Sequence, residues 1–282
     1  MKSGNATQVF AFSLLGLCSF VVIAPVILIA GILLYKGASA ISWSFLTTMP
    51  SGGMREGGIF PAIVGTLWLV AGTIIVALPL GVAAAIYLTE YAKRGPLTRI
   101  IRLAIVNLAG VPSVVYGLFG LGVFVYLLKL GTSVIAGALT LAVMVLPVII
   151  TTAEEALLSV PMSFREASLG LGATKWQTVW QIVLPGALPG IITGGILGIG
   201  RAAGETAPIL FTAAAFFLPR LPHSIFDQVM ALPYHLYAMT TQVPNAPDSM
   251  RYGTALTLIA LVLALNLGAS ALRARFRRDR KW

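Results

Sequence analysis

The sequence predicts an all-α, polytopic membrane protein with six transmembrane helices. Of its 282 residues, 58% are hydrophobic and 10% are charged, and the mean hydropathy is +0.93. Soluble domains carry about 25% charged residues. The apolar residues also form runs that reach the roughly 20 residues needed to cross a bilayer core. Together these observations exclude an ordinary soluble enzyme.

Six apolar runs are the predicted spans, at 12–34, 63–88, 105–128, 134–151, 186–218 and 255–272. Only Lys2 is basic ahead of the first run, and no small-residue cleavage site follows it, so we expect an uncleaved helix rather than a signal peptide. As one helix, the fifth run would be roughly 50 Å long, more than a bilayer core of about 30 Å. We therefore expect it to tilt, protrude or break, with Pro208 as the place of a break. No linker or repeat divides the chain, which predicts a single transmembrane permease domain over 1–282.

Lys and Arg residues concentrate on one side of the predicted bundle. That side carries Lys2, the basic group within 93–102, Arg165, Lys175 and the tail 273–281. The positive-inside rule then places both termini in the cytoplasm, with the tail on anionic lipid headgroups. The net charge of +10 does not indicate a nucleic-acid partner, because the basic residues lie at span ends and are not interleaved with aromatic stacking positions.

The cytoplasmic segment 161–185 is predicted to be a helical hairpin. Two capping boxes, Ser163 with Glu166 and Thr174 with Gln177, mark the starts of two short helices. Gly170 and Gly172 supply the backbone freedom that a tight turn between them requires. An apolar stripe follows on the second helix, formed by Trp176, Val179, Trp180 and Val183. The hairpin either packs on its own bundle or docks into a groove of a soluble partner.

The hairpin also fits a fixed pattern: E-A-A, three residues, G, nine residues, I-x-L-P. The matching residues are Glu166, Ala167, Ser168 in place of the second Ala, Gly172, Ile182, Leu184 and Pro185. This pattern resembles the coupling loop of ABC importer permeases. The resemblance implies that the hairpin, including Arg165 and Ala173, docks on an ATP-binding subunit. The chain has no G-x-x-x-x-G-K-[ST] phosphate loop, so it is not expected to be the ATPase or another enzyme, and we predict no cofactor or metal site.

Arg201 and Glu205 are the only charged residues inside the predicted spans. A charge at the centre of a bilayer costs at least about 2.5 to 3.5 kcal/mol, so such residues are usually functional. Four residues apart on a helix, the two side chains share a face and can pair. Either the pair only fixes helix packing, or Arg201 presents planar donors to an anion while Glu205 holds it in place.

Three further residues are candidates for the substrate path. Thr206 directly follows the charged pair, and Ser113 and Tyr116 follow Pro112 in the third span. A proline frees a backbone carbonyl, which a nearby hydroxyl can satisfy. Ser113 and Tyr116 therefore either line the path or close a kink.

The outer segment 219–252 is rich in proline and contains an apolar stretch at 225–237. We expect this stretch to be a short helix at the membrane interface, with Tyr234 and Tyr237 in an aromatic belt. His223 and His235 lack a cluster of Cys, His or carboxylate residues at metal-binding spacing, so both are expected to be interfacial side chains.

Four runs extend the resemblance over most of the chain: GGIFPAIVGT at 57–66, AGVPSVVYGLFGLG at 109–122, RAAGETAP with FTA at 201–213, and LPYHLYAMTTQVP at 232–244. They resemble the PstA family of phosphate-specific ABC importer permeases, whose fold is the type I importer permease. The resemblance implies import of the phosphate anion across a prokaryotic inner membrane. The implied partners are a PstC-like second permease in a heterodimer, two PstB-like ATP-binding subunits and an extracytoplasmic PstS-like phosphate-binding protein.

Two alternatives remain at this point. The first is a permease for another oxyanion, such as sulfate or molybdate. The second is a secondary carrier or channel, which would need no ATPase and would leave the capped hairpin without a partner.

Overall fold

The computed structural model describes residues 3–93 and 95–278, so Lys2, Arg94 and the part of the predicted basic tail from 279 onward lie outside the described residues. The helices, in chain order, are α1 (Ser3–Gly37), α2 (Trp43–Thr47), α3 (Phe60–Ile86), α4 (Pro96–Ala109), α5 (Ser113–Gly120), α6 (Val134–Leu158), α7 (Met162–Gly170), α8 (Lys175–Thr178), α9 (Leu184–Gly204), α10 (Ala207–Thr212), α11 (Leu232–Thr241) and α12 (Asp248–Arg278). Strands β1 (Pro50–Ser51) and β2 (Glu56–Gly57) form a small antiparallel pair. Turns of π-helix follow α3, α5 and α8, at Tyr87–Tyr91, Leu121–Leu127 and Val179–Val183.

The predicted number of spans agrees with the structure. Within the described residues, five helical stretches are long and apolar enough to cross a membrane: Gln8–Ala40, Phe60–Tyr91, Val134–Leu158, Lys175–Gly204 and Asp248–Arg275. A sixth span is formed if the bent pair of α4 and α5 counts as one crossing. The chain is thus a mostly helical, multi-pass membrane protein.

Helices α3, α6 and α9 form the centre of the bundle. Small residues let them approach closely: the glycines at 190 and 194 of α9 contact Ala156 and Thr152 of α6. Helix α12 packs on α9, and α1 contacts α12 near Gly37, while most of the other described side chains of α1 are exposed. We call the end of the bundle that carries 161–185 the hairpin end, and the end that carries α11 the distal end.

The third predicted span is wrong in its boundaries, because 105–128 is not one continuous helix. Helix α4 ends at Ala109, and Ser113–Leu127 leaves it at 104°. Pro112 disfavours helical geometry at the residue before it and has no backbone N–H to donate, so the helix stops there. Helix α4 is amphipathic and exposed, and its apolar residues run directly into those of the true span, which hid the break in the sequence.

The fifth predicted span is wrong at both ends. Its helix begins at Lys175, because α8, the π-helical turn and α9 follow one another without interruption. It ends at Gly204, and Glu205 has an extended backbone with ψ of 133°. Pro208 does not break the helix. It lies in the first turn of α10, where the missing N–H of proline has no helical partner to lose.

The distal end is more deeply packed than the sequence predicted. Residues 225–231 are not helical, and α11 begins only at Leu232. Tyr234 and His235 are buried, so the prediction of an interfacial helix with an interfacial histidine is wrong for α11. The helix packs against α3, α10 and α12, and those contacts bury its inner face. Tyr237 stays partly exposed, and its ring stacks on that of Tyr234.

Candidate functional site

Arg201 and Glu205 form the ion pair that their spacing predicted. Arg201 Nε lies 3.6 Å from Glu205 Oε1, and the two side chains are 30% and 20% exposed. This distance exceeds the roughly 2.7–3.2 Å of an N–H···O hydrogen bond, so the contact is loose. Arg201 itself stands in the last turn of α9, where its side chain is partly exposed. The geometry is that of a half-exposed cation with one weakly held acceptor.

The backbone beside this pair is unwound. Residues 205–206 separate α9 from α10, and both helices belong to the apolar core. Non-helical backbone at membrane depth is tolerated only where it is buried in protein or lines a water-filled cavity. Glu205 and Thr206 are half-buried, and Gly204 is exposed. The break therefore places partly exposed polar groups beside the apolar core of the bundle.

Helix α5 holds the far side of the break. A Cβ atom at Gly117 would lie 2.9 Å from the carbonyl oxygen of Ala207 and 2.8 Å from the ring of Phe211. Only glycine permits this approach without displacing α10. The close contact between α5 and α10 thus sets where α10 starts, and with it the position of Glu205.

The other predicted path residues are only partly brought together. Tyr116 is buried near the charge of Arg201, but its hydroxyl donates to the Leu108 carbonyl at 2.7 Å and so closes the bend between α4 and α5. Ser113 begins α5 and is half-buried. Thr206 lies on the distal side, where it lines a cavity with residues of α1, α11 and α12. The role of each in a substrate path stays a prediction.

The predicted hairpin 161–185 is present, with one correction to its caps. Thr174 and Gln177 form the predicted capping box, and Gly172 adopts φ of +85° at the turn. The box predicted for Ser163 and Glu166 is wrong, because α7 follows Pro161 without a side-chain cap. Helix α7 begins at Met162, so the Ser163 hydroxyl stands inside the first turn and not at the N-cap position, where it could accept from the first free N–H groups.

The hairpin divides its motif residues between two faces. Glu166 and Ala167 are exposed, and so are Trp176 and Trp180, whose rings lie 5.3 Å apart. The apolar side chains exposed on this face are those of Met162, Phe164, Leu169, Leu171, Trp176 and Trp180. The predicted stripe is therefore split, since Val179 and Val183 pack inward while both tryptophans face outward.

Arg165 lies on the inner face and ties the hairpin to the bundle. Its guanidinium donates to the carbonyls of Leu157 and Val160, and to the carboxylate of Glu90 beyond α3. Ser168 is also turned inward and shares a 2.9 Å hydrogen bond with Thr178. The remaining motif residues act on the backbone: Ala173 N–H donates to Ser168 O across the turn, and Pro185 enters the first turn of α9.

Three polar residues that the sequence reading missed accompany these elements. Glu90 pairs with Arg165, Glu154 pairs with Arg102, and Asn266 of α12 packs against Gly200, next to Arg201. Asn266 is the only amide side chain in the predicted sixth span, and a single amide in an apolar run could have identified it from the sequence. Glu90 and Glu154 lie at predicted span ends, where a carboxylate looks like an ordinary solvated side chain.

Known proteins resemble this chain over most of its length. The sequence profile of the family described as "binding-protein-dependent transport system inner membrane component" matches residues 77–282. The probable ABC transporter permease protein YqgI of Bacillus subtilis is 36% identical, with 93% of this chain and 94% of the relative covered. The phosphate transport system permease protein PstA of Mycobacterium leprae is also 36% identical, over 97% of this chain and 89% of the relative.

Solved structures resemble the fold at much lower identity. A bacterial alginate ABC transporter, in complex with a periplasmic protein that holds an alginate pentasaccharide, superposes with a TM-score of 0.68 at 15% identity over 96% of each chain. The inward-facing MetNI methionine ABC transporter gives 0.58 at 19% identity, over 78% of this chain and 94% of that one. At such identities the likeness establishes the fold alone.

Proposed function

The chain belongs to the family of binding-protein-dependent transport system inner membrane components, and from this premise we propose that it is the permease subunit through which an ABC importer moves inorganic phosphate. Relatives named as PstA phosphate permeases, 31–36% identical over most of the chain, support this substrate. The fold is that of a type I ABC importer permease. We propose that ATP hydrolysis occurs in partner subunits.

The loose Arg201–Glu205 pair is the observation that carries the phosphate role. Guanidinium presents planar N–H donors that match an oxyanion, and such charge-assisted bonds are about twice as strong as neutral ones. The 3.6 Å contact to Glu205 is weak enough to be exchanged for a phosphate oxygen. A carboxylate that competes for the same guanidinium also helps release the anion, as a carrier requires. In this proposal Arg201 binds the anion, and Glu205 pairs with Arg201 again when the anion leaves.

The helix from Lys175 to Gly204 supplies the link to the ATP-binding subunits. Its 30 residues span about 45 Å, from the turn of the hairpin to the charged pair. We propose that the exposed face of the hairpin docks on an ATP-binding subunit, and that its movement is carried along this helix to Arg201. ATP binding and hydrolysis then bias an equilibrium between two orientations of the path.

The proposed assembly has two permeases around one path. The partners are a PstC-like permease, two PstB-like ATP-binding subunits and an extracytoplasmic PstS-like phosphate-binding protein. The hairpin end and both termini would face the cytoplasm of a prokaryotic cell, because Lys93, Arg99, Arg102 and Lys175 cluster at this end. The distal end, with the 219–252 segment, would meet the binding protein.

Uptake of labelled phosphate tests the proposal. A strain that lacks the gene is complemented with the intact chain, with Arg201→Gln, or with Arg99→Gln as a control that removes an exposed arginine of α4. We expect the intact chain and Arg99→Gln to restore uptake, and Arg201→Gln to fail at equal membrane levels. Excess sulfate should not compete.

Each other outcome removes a defined part of the proposal. Competition by sulfate, or no uptake by an intact and assembled transporter, contradicts phosphate as the substrate. Equal uptake by the intact chain and Arg201→Gln makes the charged pair a packing feature. Loss of the assembled complex in Arg201→Gln would also favour a packing role.

A further inference from the structure

A cavity of about 590 Å³ lies at the distal end, between α1, α11 and α12. Its polar lining is supplied by Thr206, Tyr237, Thr240, Asp248, Arg251 and Tyr252. None of these residues belongs to the hairpin, and only Thr206 was predicted to contact the substrate. The cavity is therefore a polar site outside the charged pair.

Arg251 gives this cavity a partly exposed cation in a long ion pair. Its Nη1 lies 3.3 Å from Asp248 Oδ1, and 30% of its side chain is exposed, although its Nε is buried and does not face the cavity. The Asp248 side chain is 75% exposed, so water competes strongly for this ion pair. Arg251 also stands in the first turn of α12, where the helix dipole disfavours a cation. Helix stability thus does not explain its presence.

A second cation supports the same wall. Lys36 Nζ lies 3.5 Å from the Tyr252 hydroxyl and 4.9 Å from the centre of that ring. Arg251 lines the cavity directly, and Lys36 adds a second positive charge behind Tyr252, while the Asp248 carboxylate is turned toward solvent. The hydroxyls of Tyr237 and Tyr252 add groups that can donate to an anion, whereas the Thr240 hydroxyl already donates to backbone carbonyls of α11.

The cavity also adjoins the charged pair. Thr206 lines it and directly follows Glu205, which contacts Arg201. An anion that leaves the cavity on the Thr206 side therefore meets the unwound backbone between α9 and α10. An anion arriving at the distal end would therefore meet Arg251 first and Arg201 second.

We propose that this cavity is a receiving site for the transported oxyanion, inorganic phosphate, and that Arg251 is its principal ligand. The inference rests on the proposed function and adds a second binding site to it. Phosphate would displace Asp248 from the exposed part of the Arg251 guanidinium and pass by Thr206 to Arg201. This weak, solvent-accessible binding site would hold the anion after delivery and before the path opens inward.

Cysteine protection in the assembled transporter tests this site. Cys18, the only cysteine of the chain, is first changed to Ser. Thr240→Cys then places a thiol in the cavity wall, and Thr241→Cys places one on the next, equally exposed residue of α11 as a matched control. A membrane-impermeant alkylating reagent is applied with increasing phosphate, with sulfate, or with chloride at the same ionic strength. Mass spectrometry of this chain measures the rate of modification.

We expect phosphate alone to protect the cavity thiol. At about twice the dissociation constant, the unoccupied fraction falls to a third, so modification of Thr240→Cys should slow about threefold. Modification of Thr241→Cys should not change. Adding Arg251→Gln should abolish protection and Arg251→Lys should keep part of it, whereas Arg201→Gln should leave it intact.

The contrary results separate this site from the proposed function. If the intact chain restores phosphate uptake but phosphate does not protect Thr240→Cys through the millimolar range, the receiving site is overturned and the function stands. Protection that survives Arg251→Gln, or that is equal at Thr241→Cys, also overturns the site. If sulfate protects the thiol, phosphate does not, and the intact chain restores no phosphate uptake, then phosphate is wrong both as the ligand of this site and as the transported substrate.

Discussion

Arg165 and Glu90 stand 75 residues apart in the chain, yet Nε and Nη2 of the arginine donate to the same carboxylate oxygen, at 3.2 and 2.9 Å. The two side chains are only about a tenth exposed. The same guanidinium also donates to two backbone carbonyls at the end of α6 and just beyond it. One side chain therefore joins the hairpin, the end of the α3 span and the end of α6.

This contact predicts a separation of ATP hydrolysis from transport. In Glu90→Gln an oxygen remains to accept from Arg165 but the charge is lost, so the hairpin should still fold and its movement should pass less directly to α3. We expect phosphate uptake to fall more than ATP hydrolysis in the reconstituted transporter. Arg165→Gln should be harsher, because it removes not only the partner of Glu90 but also the donors to the Leu157 and Val160 carbonyls. Equal losses of uptake and hydrolysis in Glu90→Gln would contradict a coupling role.

The turn of the hairpin predicts a difference between two glycines. Gly172 has φ of +85° with open space around it, whereas Gly170 is helical and equally open. Gly172→Ala should therefore destabilise the turn by about 1–2 kcal/mol through backbone strain alone. Gly170→Ala should be neutral or slightly stabilising. Copurification of the ATP-binding subunits, with melting of the complex, measures both. Equal retention of these subunits by the two variants would show that the turn geometry does not govern docking.

The contact between α5 and α10 predicts a second pair of glycine variants. A methyl group at Gly117 meets the Ala207 backbone, which cannot move aside alone, whereas one at Gly122 meets nothing within 4 Å. Gly117→Ala should push α10 away and displace Glu205, so phosphate uptake should fall strongly at equal membrane levels. Gly122→Ala should transport normally. Normal uptake by Gly117→Ala would mean that the position of the break does not control the site.

His235 predicts a pH-dependent stability of the distal end. Burial lowers the pKa of His235 from 6.5 to about 4, and neither ring nitrogen has a hydrogen-bond partner among the described residues. Between these two pH values the unfolded chain binds the proton and the folded one does not, so stability falls as the pH drops from 6.5 toward 4. The full loss is about 3 kcal/mol, since one pKa unit corresponds to about 1.4 kcal/mol.

His235→Leu supplies the test, because leucine has a similar volume and no proton to gain. Melting of the detergent-solubilised protein at a series of pH values should show a shallower decline for His235→Leu than for the intact chain. Parallel curves would exclude His235 as the source. His223→Leu, at the same end of the bundle, is the matched control and should follow the intact chain.

Composition and periodicity predicted the features that depend on neighbouring residues in the chain. Long apolar runs indicated the spans because a bilayer core demands them. The Thr174–Gln177 cap, the Gly172 turn and the Arg201–Glu205 pair all join residues within four positions of one another, and all three are present. The break at Gly204 was misplaced at Pro208, because proline signals either a helix end or a helix start and only the packing of α10 on α5 selects between them.

By itself, then, the sequence determined the membrane class, the number of spans, the hairpin and the intramembrane charged pair, since each follows from local hydrophobicity or helical spacing. Only the tertiary structure decided that Arg165 turns inward to Glu90, that α11 is buried, and that Arg251 shares a cavity with Thr206. The Arg165–Glu90 contact joins residues 75 positions apart, and α11 contacts α3 through Leu232 and Thr66, 166 positions apart. Their pairing depends on how the helices pack, and no local pattern in the chain encodes it.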